Sequence, residues 1–217
     1  MRMRPLTLEK PKPLIEVAGK SLLQHIWELL PAEIDEVILV VGYKGEMIRD
    51  FIGDTFLGKK VTYVTQERKL GTADAVRLCL PFLVKGERFL LLYADDLHDG
   101  ASITRLLHHP LAVLVCEVED PKRFGIMMVD HEGRITDIEE KPENPRSNLA
   151  ATGVYLLDRE LIEYLPPAHS NGESYVTDMI AKAIKERAVF VETETFWHPI
   201  GYPHDVTAAE EVLATGI

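Results

Sequence analysis

The sequence predicts an α/β fold, with a doubly wound and mostly parallel sheet. Two observations support this: β-branched apolar runs alternate with helical patterns, and runs such as EVILVVG are apolar on both faces, as in buried parallel strands. After residue 124 three strand patterns follow one another without a helix, which predicts an antiparallel extension of the sheet.

The predicted elements can be placed in order from the spacing of apolar residues and from turn residues. Apolar positions recurring at Leu22, Leu23 and Ile26 mark the first helix, and His131-Glu132-Gly133 marks a hairpin turn. Strands are predicted at 36–42, 61–65, 88–94, 112–118, 125–129, 134–139, 153–157 and 189–194. Helices are predicted at 21–30, 47–52, 72–84, 102–109, 175–187 and 204–215.

The beginning of the chain departs from this pattern. A loop from Pro5 to Pro13 leads directly into a helix. A doubly wound sheet normally starts with a strand, and the turn after that strand binds phosphate. We therefore expect one domain over residues 1–217 that lacks its first strand, with a gap in the sheet that exposes main-chain groups.

Composition and charge exclude several classes of protein. The formal net charge is −11, a poor match for nucleic acid or anionic membranes. No stretch reaches about 18 apolar residues, so no membrane span is predicted. Cys79 and Cys116 form no CxxC pair, and two thiols fit a reducing, cytoplasmic location. Five basic residues among the first 20 nevertheless indicate a local anion site, unless they form a solvated tail.

Two positions have the chemistry of a phosphate site. Pro11 and Pro13 flank Lys12 and stiffen the backbone that carries its ammonium group. Asp95 follows an apolar strand, at the sheet edge where α/β proteins bind ligands. A carboxylate there can hold Mg²⁺ together with phosphate oxygens, or it can simply cap the next turn.

The segment from Arg2 to Thr7, followed by Lys10-Pro11-Lys12-Pro13, resembles the sugar-phosphate nucleotidyltransferase family. These enzymes, such as glucose-1-phosphate thymidylyltransferase and uridylyltransferase, make nucleoside-diphosphate sugars. Their opening motif is a strand, then Gly-Gly-x-Gly-Thr-Arg-(Leu/Met)-x-Pro-x-Thr, then Lys-Pro. The resemblance implies that the strand and glycines lie before Met1, and that this truncated chain binds triphosphate poorly.

The resemblance continues over nearly the whole chain. It covers Thr65-Gln66 with Leu70-Gly71-Thr72-Ala73, Ala94-Asp95-Asp96, Asp120-Pro121-Lys122-Arg123-Phe124-Gly125, Ile138-Glu139-Glu140-Lys141-Pro142 and Ala151-Thr152-Gly153-Val154-Tyr155. It implies catalytic roles for Arg2, Lys12 and Asp95, with Mg²⁺ on Asp95. It implies nucleotide binding by Gln66, Gly71 and Thr72, and sugar-phosphate binding by Asp96, Gly125, Glu140, Lys141 and Ala151. Taken alone, Gly71-Thr72 could be a helix cap and Glu-Lys-Pro a surface turn.

One motif departs from the family pattern. The family often has Trp-x-Asp-Ile-Gly-Thr-Pro-x-Asp, whose first Asp is a second metal ligand, where this chain has Trp197-His198-Pro199-Ile200-Gly201-Tyr202-Pro203-His204-Asp205. Pro199 stands in place of that Asp. Metal binding then rests on Asp95 and phosphates, or His198 or Asp205 substitutes.

The resemblance implies an enzyme that joins a nucleoside triphosphate, UTP or dTTP, to a sugar 1-phosphate. A phosphate monoester is already largely ionised at neutral pH, so this reaction needs positioning and positive charge rather than a general base. One alternative function stays open, a non-catalytic homologue that binds sugar nucleotides and regulates a partner. The oligomeric state also stays open, with a homo-oligomer as one option. No G-x-G-x-x-G follows a strand, which argues against a dinucleotide-binding oxidoreductase.

Overall fold

A computed structural model describes residues 3–214, and its helices and strands confirm the predicted α/β class. The chain divides into two compact units. The first is formed by Met1–Thr65, Tyr93–Gly100 and Phe196–Ile217, and the second by Gln66–Leu92 and Ala101–Thr195. No helix within the described residues is long and apolar enough to cross a membrane.

The elements are numbered in chain order. Within residues 3–214 the helices are α1 (Leu22–Leu29), α2 (Gly45–Ile52), α3 (Thr72–Leu78), α4 (Gly100–Leu106), α5 (Val176–Ala183) and α6 (Pro203–Ala214). The strands are β1 (Glu16–Val17), β2 (Lys20–Ser21), β3 (Glu36–Val41), β4 (Thr55–Phe56), β5 (Lys59–Thr65), β6 (Arg88–Leu92), β7 (Asp96–His98), β8 (Ala112–Glu117), β9 (Gly125–Val129), β10 (Ile135–Glu140), β11 (Leu149–Asp158), β12 (Phe190–Thr193) and β13 (Trp197–Pro199).

The first unit is built around a parallel pair of strands. β3 and β5 run side by side from Glu36↔Lys60 to Val41↔Thr65, and β4 pairs antiparallel with β5. Helix α1 begins where the Ser21 hydroxyl accepts a hydrogen bond from the Gln24 amide at 3.1 Å, a standard N-cap. Its apolar face buries Trp27 and neighbouring residues against the strands, which anchors this part of the core.

The second unit is a mixed sheet with β11 in its interior. β11 pairs antiparallel with β6, β8 and β9, whereas β12 pairs parallel with β8. The strand predicted at 153–157 is therefore longer than expected, and it lies among other strands. Its pairing with β8 is irregular between Ala151 and Tyr155, where Gly153 has a φ of 94° that favours glycine.

Two predicted helices are shorter in the structure, and several short strands were not predicted. The helix predicted at 72–84 ends at Leu78, and a 3-10 turn over Leu80–Phe82 follows because Pro81 cannot continue the hydrogen-bond ladder. The helix predicted at 175–187 ends at Ala183. The sequence did not reveal the antiparallel pair of β7 and β13, whose three-residue strands are too short to show a period.

Two apolar strands keep an open edge within their own units. Among the described residues, β3 pairs only with β5 in the first unit, and β6 pairs only with β11 in the second. An open edge on an apolar strand leaves main-chain groups available for pairing. That the sheet lacks its first strand stays a prediction.

Candidate functional site

Lys12 and two aspartates meet in the first unit, and we name Lys12, Asp95 and Asp96 the Lys12 cluster. Lys12 begins a 3-10 turn after Pro11. Its ammonium nitrogen lies 2.8 Å from Asp95 Oδ2 and 3.8 Å from Asp96 Oδ1. The structure therefore brings two predicted catalytic residues into direct contact. Arg2, the third, lies outside the described residues.

Asp96 is the member of the Lys12 cluster that is fixed by hydrogen bonds to β13 and to the residue after it. Its Oδ1 accepts a hydrogen bond from the Ile200 amide at 3.0 Å, and its Oδ2 accepts one from Trp197 Nε1 at 3.2 Å. Burial, followed by the charge of Asp95, raises the pKa of the Asp96 carboxyl, and the Lys12 charge opposes the rise. Because both of its oxygens are engaged, Asp96 fits a positioning role here. Sugar-phosphate binding by Asp96 stays a prediction.

Pro199 lies beside Asp96, as cross-strand partners in the β7–β13 pair. A carboxylate at this position would reach the cluster, but a proline side chain has no ligand atom. The two proposed substitutes have other partners: Asp205 Oδ2 accepts from the Gly201 and Tyr202 amides at 2.7 Å, and His198 Nε2 lies 3.1 Å from the Asp205 carbonyl. These contacts give Asp205 the geometry of a turn-capping residue.

The donor set of the Lys12 cluster fits one way of holding Mg²⁺. Asp95 is the more exposed carboxylate, with 41% of its side chain accessible. Across residues 3–214 no group of three or more His, Cys, Asp or Glu side chains is arranged to hold a metal ion. Mg²⁺ commonly binds one or two carboxylates and completes its shell with water and substrate phosphates. The residues present fit that arrangement through Asp95, and they do not fit an all-protein cage.

Gln66, Gly71 and Thr72 come together in the second unit at the start of α3. Gln66 Nε2 donates to the Gly71 carbonyl at 3.1 Å and to Asp74 Oδ2 at 3.0 Å. The Thr72 hydroxyl accepts from the Val176 amide at 3.0 Å, which ties α3 to the start of α5. The predicted nucleotide-binding residues are thus adjacent and held in fixed orientations.

Gly71 is required here for a reason the sequence did not show. Its φ is 91°, and a Cβ at this position would lie 2.2 Å from the Ser174 carbonyl oxygen. The Ser174 amide also donates to the Leu70 carbonyl at 2.9 Å. The glycine is therefore explained by close main-chain packing, and the approach of a base or ribose to it stays a prediction.

Glu140 is the centre of a second group, and we name Gly125, Glu140, Lys141, Tyr175 and Thr177 the Glu140 cluster. Glu140 ends β10 opposite Gly125 on β9. Its Oε2 accepts from the Thr177 hydroxyl at 2.7 Å, and its Oε1 lies 2.9 Å from the Lys141 ammonium. Thr177 and Lys141, both in the second unit, thus hold one shielded carboxylate, of which 13% is exposed.

Only glycine fits at position 125. A Cβ there would lie 2.7 Å from Thr177 Cγ2 and 3.0 Å from Glu140 Oε2. The β9 backbone can therefore approach Glu140 closely, and sugar-phosphate binding by Gly125 stays a prediction.

Lys141 adopts a left-handed backbone with a φ of 46°, which is uncommon for a non-glycine residue. Its ammonium lies 4.8 Å from the centre of the Tyr175 ring. Burial lowers its pKa, but hydrogen bonding to Glu140 and that residue's charge outweigh burial, and the net pKa is raised. Lys141 is therefore a cation at neutral pH, presented at the surface with 54% of its side chain exposed.

Ala151 lies on β11 in register with Val115 and is half-buried. An alanine side chain has no hydrogen-bonding atom, so the predicted sugar contact of Ala151 would use its main chain or its methyl group.

The sequence interpretation overlooked two members of the Glu140 cluster, Tyr175 and Thr177. The Tyr175 hydroxyl accepts from Asn171 Nδ2 at 2.8 Å and donates to Glu173 Oε2 at 2.7 Å. The available signal was the polar stretch NGESYVTD just before the apolar face of α5. Without a partner in view, such a stretch looks like an ordinary helix start.

Lysines at strand ends and turns of an α/β fold are suited to binding phosphorylated ligands. The profile of the family described as nucleotidyl transferase matches residues 1–216. The chain belongs to this nucleotidyl transferase family, which confirms the resemblance drawn from its motifs.

Relatives of known name agree with this assignment. The chain is 34% identical over 98% of its length to the bifunctional protein GlmU of Methanocaldococcus jannaschii, of which it covers 51%. It is 30% identical to the mannose-1-phosphate guanylyltransferase catalytic subunit beta of Dictyostelium discoideum, over 99% of this chain and 65% of that protein. The chain spans about half the length of the GlmU relatives it matches.

A solved structure shares the fold. It is a Bacillus anthracis chain, provisionally named a glucose-1-phosphate thymidylyltransferase and solved in complex with sucrose. The TM-score is 0.85 at 27% identity, with 100% of this chain and 91% of that chain covered.

Proposed function

We propose that the chain is the nucleotidyl-transfer part of a sugar-1-phosphate nucleotidyltransferase. A phosphate oxygen of the sugar 1-phosphate would attack the α-phosphorus of a nucleoside triphosphate. The bond from that phosphorus to the bridging oxygen would break, and pyrophosphate would leave with the bonding electrons. UTP or dTTP with glucose 1-phosphate is the proposed substrate pair.

The observation that carries this proposal is the Lys12 cluster, in which a proline-flanked lysine lies 2.8 Å from an exposed aspartate. Two polyanions must approach each other in this reaction, so the protein must supply positive charge at fixed positions. Lys12, together with Arg2, would hold the triphosphate. Mg²⁺, held by Asp95 and phosphate oxygens, would supply charge neutralisation.

The Glu140 cluster supports the sugar side of the proposal. The Glu140 carboxylate would accept hydrogen bonds from sugar hydroxyls, and the exposed Lys141 cation would pair with the sugar's own phosphate. Gln66 and the Gly71-Thr72 turn would bind the base and ribose. No proton transfer from a side chain is required, because the attacking phosphate is already ionised near neutral pH.

Pyrophosphate release tests the proposal directly. The protein, with any segment that its gene encodes upstream of Met1 restored, is incubated with Mg²⁺ and with UTP, dTTP or GTP, each paired with glucose 1-phosphate or mannose 1-phosphate. We expect release that requires both substrates and that is fastest with a pyrimidine triphosphate. Binding of UDP-glucose without pyrophosphate release in any combination would support the non-catalytic alternative. The absence of both UDP-glucose binding and pyrophosphate release would contradict the proposal.

A further inference from the structure

We propose that Lys44 is a positioning residue that pins the loop from Pro5 to Pro13 and thereby holds Lys12 in its place. The role in triphosphate binding rests on the proposed function. Lys44 occupies the turn between β3 and α2 in the first unit. Its ammonium nitrogen donates to the carbonyl oxygens of Leu8 and Glu9, each at 2.6 Å.

The other anchors of the loop lie in its second half, where Lys10 pairs with Glu16, Pro11 is buried and Lys12 contacts Asp95, whereas the stretch from Pro5 to Glu9 is mostly exposed. Leu6 and Leu8 are 39% and 52% exposed, so its apolar side chains contribute little burial. The Leu8 amide bonds to the Pro5 carbonyl within the loop, and the Thr7 amide bonds at 3.3 Å to the carbonyl of Met3, the buried residue two positions before the loop. Charge-assisted hydrogen bonds from a lysine to two consecutive carbonyls are stronger than neutral ones and fix the loop relative to β3.

The backbone conformation of Lys44 is unfavourable for a lysine, so the contacts of its side chain must compensate for that cost. Lys44 has a φ of 57° and a ψ of 32°, the left-handed region that disfavours L side chains. Glycine would adopt this turn without strain. A lysine here therefore costs backbone stability, and the loop contacts offset that cost.

This strain permits a test that separates positioning from folding. The variants Lys44→Gly, Lys44→Met and Lys44→Arg are compared with wild type and with Lys60→Met, which removes an exposed lysine of the same unit that contacts Glu36. Amide exchange of residues 4–15 is followed by mass spectrometry. Lys44→Gly is expected to keep the wild-type melting temperature or to exceed it, while loop exchange becomes about tenfold faster.

The same substitutions are made in the protein with any segment that its gene encodes upstream of Met1 restored, and these proteins are titrated with UTP and Mg²⁺. We expect the Kd for UTP to rise by about tenfold in Lys44→Gly and Lys44→Met, because displacing a binding group by about 1 Å can cost even more. Lys44→Arg restores both readouts, and Lys60→Met changes neither. Wild-type loop exchange in Lys44→Gly overturns the pinning role. Faster loop exchange with an unchanged Kd for UTP overturns the link to Lys12. If the wild-type protein binds no UTP, the proposed function is overturned, and the exchange result alone then tests the pinning role.

Discussion

The Lys12 cluster and the Glu140 cluster both contain a lysine–carboxylate pair, but opposite partners are shielded. Lys12 is 23% exposed and Asp95 41%, whereas Lys141 is 54% exposed and Glu140 13%. The shielded partner is the one fixed by its surroundings. The exposed partner is the more accessible one, so a cation can reach Asp95 beside a lysine that keeps 23% of its side chain exposed, and an anion can reach Lys141.

The largest expected effect comes from removing the shielded lysine. Lys12→Ala is expected to lower turnover at least tenfold and on the order of a hundredfold, as for the loss of other groups that stabilise transition-state charge. Steady-state pyrophosphate release measures it. Lys10→Ala is the matched control, because Lys10 lies in the same loop as Lys12 but pairs with the exposed Glu16. Equal rates in wild type and Lys12→Ala would remove Lys12 from the proposed machinery.

Gly125→Ala tests whether the Glu140 cluster depends on close backbone approach. The added Cβ collides with Thr177 and Glu140, so we expect a loss of about 1–3 kcal/mol of unfolding free energy and a raised KM for the sugar 1-phosphate. Urea denaturation and substrate titration measure the two effects. Gly100→Ala is the control, since its nearest contact, 3.4 Å from Leu29 Cδ2, is ordinary packing. A variant as stable and as active as wild type would show that the cluster tolerates a wider gap.

A third ion pair sharpens the comparison because it belongs to neither the Lys12 cluster nor the Glu140 cluster. Arg187 and Asp158 are 28% and 14% exposed, and Arg187 Nη1 lies 2.8 Å from Asp158 Oδ1. Arg187→Met is expected to lower the unfolding free energy by about 2 kcal/mol at pH 7, without changing substrate KM. Arg146→Met, which removes a more exposed arginine and its ion pairs with Asp137 and Glu139, is expected to change stability far less.

The pH dependence of this pair has a definite sign. Burial acts to raise the pKa of the Asp158 carboxyl, but hydrogen bonding to Arg187 outweighs it and holds the pKa below the usual 3.8. A lowered pKa stabilises the folded state above the unfolded value and loses that effect as pH falls through the folded value. The stability difference between wild type and Arg187→Met should therefore be constant from neutral pH to about 5 and shrink below about 4. A difference that grows under acid would contradict this assignment.

The smallest effect is expected from Thr177→Val, which keeps the shape of the side chain but removes its hydrogen bond to Glu140. We expect about 1 kcal/mol of lost stability and a severalfold higher KM for the sugar 1-phosphate, because Glu140 loses the partner that orients it. The KM for the triphosphate is expected to stay unchanged. If both KM values rise together, Thr177 acts on the fold rather than on Glu140.

Local pattern accounts for how much of the fold could be predicted. The strands at 36–41 and 112–117 contain runs of consecutive apolar residues, and α1 begins at a serine cap, so each was placed to within one or two residues. The short β7 and β13 have no period to detect. The predicted site residues at Lys12, Asp95, Glu140 and Lys141 came from a family resemblance, because Glu-Lys-Pro by itself is an ordinary turn.

By itself, the sequence determined the α/β class, the order of the elements and the family, since periodicity and motifs are properties of neighbouring residues. Only the tertiary structure decided which side chains meet. Thr177 reaches Glu140 across 37 positions and Lys12 reaches Asp95 across 83, while Lys44 reaches Leu8 across 36. Such contacts depend on how strands and helices pack, and a hydrogen bond of about 3 Å cannot be inferred from residue spacing alone.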